Sequence, residues 1–168
     1  MGKPYDSSDD DDLEYHPPTR EEVFAQLEDW RQRLHKLYAD IISWLPEGEG
    51  YETEIRDYMT DEPPMRYVGV EPQPVPELVV RRHGESVALL HPDACWIIGV
   101  LGRVMIHTSA PHPHKLVEVD FPESEAGWRL YRSDWPRPEW DKPLDRRLLR
   151  GILLDKQALR SMVGANNG

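Results

Sequence analysis

Three histidines, His107, His112 and His114, form the tightest group of potential metal donors in this chain, in the run His-Thr-Ser-Ala-Pro-His-Pro-His, with His91 and Asp93 further upstream. A His-x-His pair on a strand puts both imidazoles on one face, and neutral imidazole suits zinc, nickel or iron. Pro111 and Pro113 bracket His112, however, which places the pair in a loop between strands. No third ligand follows at tight spacing. A solvated hairpin loop is the favoured reading, and a small metal-dependent hydrolase or nuclease centred on these three histidines is the alternative. Other chemistries are thinner still. No Gly-x-Ser-x-Gly elbow occurs, and Ser86, Ser109, Ser124 and Ser133 lie in turn-like contexts. Gly99-Val-Leu-Gly102-Arg103 lacks the Lys-Ser/Thr of a phosphate loop and reads as a hairpin turn. No cofactor is expected.

A second group is built for contact. Arg129, Arg132, Arg137, Lys142, Arg146, Arg147 and Arg150 interleave with Trp128, Tyr131, Trp135 and Trp140. Arginine beside aromatic rings serves both base stacking and protein-interface hot spots. Residues 128–150 carry 7 basic and 4 acidic side chains, a net charge of only +3. That balance favours a protein interface or packing within the chain, with Arg129, Arg132, Trp135, Trp140, Arg146, Arg147 and Arg150 as the candidate contacts. A nucleic-acid adaptor using the same Arg/Trp surface is the weaker alternative.

Charge is divided unevenly. Residues 1–62 hold 18 acidic and 6 basic side chains, net −12, whereas residues 63–168 hold 13 and 14, net +1. Such a field repels phosphates and favours a basic partner. Glu28, Asp29 and Asp40, on the polar side of a long helix, are the acidic contacts expected to meet it. Residues 1–17, with carboxylates at Asp9 to Asp12, read as a disordered acidic leader.

These groups must be positioned by regular elements, and the clearest is that helix. Val23, Leu27, Trp30, Leu34, Leu37, Ile41 and Trp44 recur in alternating steps of four and three. Thr19 and Glu22 make a capping box at the start, and Leu45-Pro46 with Gly48 stops the far end. Phe24, Tyr38, Ile42 and Leu45 widen the stripe, which suits a helix lying across a sheet. A helix-mediated oligomer is the alternative use of the stripe.

Proline and glycine make residues 46–76 read as irregular, with a short helical turn near Glu52–Met59 and an edge strand near Met65–Val70. The period then becomes two. Glu77–Arg82 and Ser86–His91 flank the turn His83-Gly84-Glu85, and Cys95–Val100 and Arg103–Thr108 flank Leu101-Gly102. Leu116–Asp120 and Trp128–Arg132 are further strands, and Trp96-Ile97-Ile98, apolar on both faces, predicts the central one. Helical spacing returns from Leu144 to Val163, in two pieces, with Asp155 capping the second. The expected fold is α+β, an antiparallel meander of three to six strands packed by the N-terminal helix and a C-terminal helical segment. Residues 18–163 form this domain, and 164–168 a flexible tail.

At 168 residues, 39% hydrophobic and 30% charged, the chain is expected to be a soluble domain with appendages. It shows no secretory h-region and no apolar run of the ~18 residues needed to span a membrane. Asp6 occupies the position where a myristoylation signal requires Ser or Thr. The lone Cys95, within an apolar run, reads as a core side chain in a reducing, cytoplasmic setting. The functional expectation is a small acidic, non-enzymatic interaction module, either an accessory or regulatory subunit or an inhibitor or immunity-type partner of a basic protein.

Overall fold

The computed structural model describes residues 16–120, 123, 126–135 and 151–164, so nearly all of the expected leader and most of the expected tail lie outside the described residues. Helix α1 (Arg20–Trp44) begins at the capping box: the Thr19 hydroxyl accepts from the Glu22 amide at 3.2 Å, and the Glu22 carboxylate accepts from the Thr19 amide at 3.2 Å. Its stripe, Val23, Leu27, Trp30, Leu34, Leu37, Tyr38 and Ile41, is buried against the chain's own sheet and neighbouring helices. The stripe is therefore used within one chain and is not left over for a helical oligomer. Of the residues expected to widen it, Tyr38 is buried and Leu45 partly so, while Phe24 and Ile42 remain exposed along its flanks.

The sheet comprises β1 (Tyr51–Thr60), β2 (Gln73–Arg82), β3 (Glu85–Ala94), β4 (Gly102–His107), β5 (His114–Val119), β6 (Gly127–Tyr131) and β7 (Ile152–Leu153). Each strand pairs antiparallel with the next, in the order β1-β2-β3-β4-β5-β6-β7. Helix α2 (Pro63–Tyr67) bridges β1 and β2, and α3 (Lys156–Met162) follows β7. The fold is α+β with a meander sheet. The β2–β3 turn works because His83 and Gly84 both take positive φ, 51° and 84°, matching the twist of the hairpin.

Leu78 and Val80, Ala88 and Leu90, Val104 and Ile106, Leu116 and Leu130 pack from successive strands onto α1, joined by Leu159, Met162 and Val163 from the α3 end. Burying one such side chain contributes roughly 1.5–3 kcal/mol. Gly102 lets β4 run directly beneath Trp30, since a Cβ there would collide with the indole ring. Cys95 is buried at the edge of the same core, and burial pushes its thiol pKa well up, so it is an inert apolar side chain.

Several sequence expectations give way. Glu52–Met59 is strand, not helical turn, because the segment pairs with β2 along its whole length. Met65–Val70 does not form an edge strand: Pro63 and Pro64 open α2, where the missing N–H groups are harmless, and Met65 buries into a small cluster with Val23, Leu27 and Val70. Pro74 and Pro76 are tolerated inside β2 because the β2–β3 ladder starts only at Leu78, leaving that stretch with one neighbour. Trp96-Ile97-Ile98 is not the central strand. The Glu62 carboxylate captures the amides of Cys95 and Trp96, and Gly99 at φ 84° turns the chain back, leaving only the isolated bridge Ile97–Val100. Strand β4 consequently pairs with β3 rather than with residues 95–100. At the C-terminal end, Ile152 and Leu153 are strand rather than helix, while Asp155 caps α3 by accepting from the Ala158 amide at 2.7 Å.

Candidate functional site

The expected histidine site is the first to be placed. β4 ends at His107 and β5 opens at His114, so the loop between them lies at one end of the sheet beside α3. There a cleft of about 820 Å³ is lined by His107, Thr108, His114, Arg132, Asp134 and Ser161, among others. His114 is buried; its Nδ1 accepts from the Ser133 amide at 2.9 Å, and its Nε2 lies 3.5 Å from the Thr108 hydroxyl. Burial, reinforced by the charge of Arg132, holds its pKa below the ordinary histidine value, so the ring is neutral. The Ser133 hydroxyl donates to the His112 carbonyl at 2.8 Å. Arg132 forms a two-pronged pair with Asp134, both contacts 2.9 Å, and also donates to Ser161. That pair keeps the Asp134 pKa below the ordinary range.

His114, Ser133, Arg132, Asp134 and Ser161 are thus tied together by hydrogen bonds. Both ring nitrogens of His114 are engaged: Nδ1 also lies 3.3 Å from the Ser133 hydroxyl, while Nε2 faces the Thr108 hydroxyl. Among the described residues no three His, Cys, Asp or Glu side chains come together as a metal set. The alternative set of His107, His112 and His114 is not assembled: His107 lies instead beside His91, with ring centroids 6.5 Å apart, across the β3–β4 pair. His91 belongs to a row running across the sheet face away from α1. Its Nδ1 lies 3.1 Å from the buried Glu77 carboxylate, which also accepts from Arg56. Burial pushes the Glu77 carboxyl up, but the hydrogen bonds from His91 and Arg56 outweigh it and hold the pKa below the usual carboxylate range. Tyr58 packs edge-on to His91 at 4.3 Å.

The expected acidic contacts Glu28, Asp29 and Asp40 are all exposed on α1. Glu28 pairs with Arg31 at 3.2 Å, and Asp29 accepts from Arg33 Nε at 2.8 Å. Arg33 also reaches Glu118 and the Leu101 carbonyl, with its guanidinium 4.9 Å from the Trp30 ring centre. Of the expected Arg/Trp surface, Arg129 donates to the Gly151 carbonyl at 3.0 Å, and the Trp135 amide donates to the Arg132 carbonyl at 3.3 Å. Arg132 and Trp135 share a depression with Asp155 and Ser161. Trp140, Arg146, Arg147 and Arg150 lie outside the described residues.

One feature was missed in the sequence. The loop between β3 and β4 projects Ile98 wholly into solvent, 103% exposed, next to a groove of about 440 Å³ lined by Gln26, Asp29 and Arg33 of α1 and by Trp96, Ile98 and Leu101. The loop's base is fixed. Both Glu62 oxygens accept from the Cys95 amide at 3.1 Å, and one also accepts from the Trp96 amide at 3.2 Å. Trp96 packs against both apolar clusters. Only Gly99 hinted at this, since a run of apolar residues otherwise reads as buried strand. No helix among the described residues is long and apolar enough to cross a membrane.

Comparison of the chain with protein-family models found no match, and comparison with curated proteins and with solved structures found none either.

Proposed function

We propose that this protein is a non-enzymatic, acidic protein-interaction module that presents the Cys95–Leu101 loop as an apolar anchor to a partner with a basic surface. The observation that carries the reading is Ile98, fully exposed at the tip of a loop whose base is pinned by Glu62. A fixed apolar projection avoids the ordering cost that a mobile loop would incur on binding, and interface energy concentrates in such anchors. The groove rim itself carries the Asp29–Arg33 pair, and the net charge of −11 supplies electrostatic steering toward a basic partner. The reading fits an accessory subunit or an inhibitor of a basic protein. The single buried cysteine suits a reducing compartment, so the cytoplasm is the proposed location.

The test is a photo-crosslinking residue placed at Ile98 in cells that make the protein. The expected product is one discrete adduct with a basic protein, lost when the same residue is placed instead at Tyr67, another exposed apolar position. Indiscriminate labelling from both positions, or an adduct from neither, would sink the reading.

A further inference from the structure

β1 is a long strand at the edge of the sheet formed by the described residues. Its ladder with β2 runs through ten pairs, from Tyr51 opposite Arg82 to Thr60 opposite Gln73, without a register shift. It contains neither proline nor glycine, and Glu52 and residues 54–59 are exposed. Ile55 is 44% exposed, Tyr58 37% and Met59 54%. Among the described residues no strand pairs with its outer side. Natural sheets shorten, bend, cover or break such edges to prevent unwanted pairing. The opposite edge obeys this, since β7 is two residues long. β1 relies on charge alone, and its charges have an order.

We infer that β1 pairs antiparallel with β1 of a second copy, about a two-fold axis through Ile55, forming a dimer with one continuous sheet. A two-fold axis perpendicular to the sheet keeps each face on its own side, so only registers that pair residues of like parity are allowed. Centred on Ile55, the pairing sets Glu54 opposite the partner's Arg56 and Arg56 opposite the partner's Glu54. Ile55 meets its own counterpart, Tyr51 meets Met59, and Thr53 meets Asp57. No like charges face each other. Within each copy Arg56 already pairs with Glu77, and Arg81 pairs with Glu54 at 2.9 Å. The junction therefore extends two existing ion pairs into an alternating row: Glu77, Arg56, the partner's Glu54, the partner's Arg81. A slip by one allowed step in either direction puts Glu54 against Glu54 or Arg56 against Arg56 at the axis, which is unfavourable. The same charges that deter random strands select a second copy.

The experiment is sedimentation of the full chain at roughly 0.1 mM, enough to populate a dimer of micromolar Kd. A dimer is expected. Glu54→Lys and Arg56→Glu, each placing two like-charge pairs across the axis, should each weaken it by about 10-fold or more. Mixing the two variants should restore it, because each supplies the charge the other lacks. A monomeric wild-type chain, variants that dimerise as tightly as wild type, or a mixture that stays monomeric would each overturn the inference. Because Arg56→Glu also faces Glu77, a second measurement stands apart from its folding. Ile55→Cys should oxidise rapidly to a covalent dimer, Cys95 being buried, whereas Tyr67→Cys should not. Equal rates at the two positions would refute the register.

Discussion

Glu62 and Cys95 stand 33 residues apart in sequence, yet both oxygens of the Glu62 carboxylate accept from the Cys95 amide at 3.1 Å. This contact, extended to the Trp96 amide, takes the chain out of the sheet after β3 and sets the direction of the Ile98 loop. Glu62→Ala should cost about 1–3 kcal/mol in denaturant unfolding, the range for orphaned buried donors. Hydrogen exchange at the Cys95 and Trp96 amides should accelerate more than that at Leu90. Uniform acceleration would mean that Glu62 supports the whole fold rather than the loop.

Leu34→Ala and Leu37→Ala should each destabilise the protein by roughly 2–5 kcal/mol, since both side chains are buried against the sheet core. Sedimentation of either folded variant should match the wild type. A change of oligomeric state with intact stability would return the helix to the role of an interface.

Gly102→Ala drives a methyl group into the Trp30 ring and should cost about 1–3 kcal/mol. Trp30→Leu should be destabilising alone, but adding Gly102→Ala to it should cost less than in the wild type. Additive losses in a double-mutant cycle would show that the close approach is not what Gly102 serves.

Glu77 and His114 each contribute to the acid limb of the stability profile, beside the exposed Asp134, whose pKa Arg132 also lowers. Glu77 has a depressed pKa in the folded state, so its contribution is present above the unfolded value of about 4.3 and is lost as pH falls through the folded value. His114 is also depressed, so the unfolded chain binds its proton first, and stability drops as pH falls from about 6.5 toward the folded value. Glu77→Gln should flatten the slope below about pH 4, and His114→Asn the slope just below about pH 6.5. Chemical denaturation across pH 3–8 separates the two windows, and unchanged slopes in both variants would contradict the assignment.

How much of this was legible in the sequence follows from which contacts are local. The helix was readable from Thr19 to Leu45 because its cap, period and stop are all encoded within the segment. The His83-Gly84 hairpin was readable for the same reason. β2 was legible from Glu77 to Arg82, but its first residues were obscured because Pro74 and Pro76 are acceptable only where β2 lacks a second neighbour, a fact of topology. β1 was missed because its last residues pair with that stretch. The Trp96-Ile97-Ile98 run was misread because its fate depends on Glu62, far away in sequence. Of the histidine pair read as a solvated loop, only His112 lies between the strands; His114 opens β5 and is buried, and neither that nor the β3–β4 pairing that sets His107 beside His91 was legible.

The meander joins every strand to its chain neighbour, but α1 draws its core contacts from nearly the whole length: Val75, Leu90, Val104, Leu116, Leu130 and Leu159. During vectorial synthesis α1 leaves the ribosome before the strands, and its apolar stripe has little of the sheet to cover it until they follow. Hairpins from β1 to β4 can zip in order behind it, since each closes a short loop. The last layer, α3, emerges only after every strand of the sheet. A nascent chain stalled before Leu116 should therefore recruit holding chaperones through α1, and one stalled after Val163 should release them.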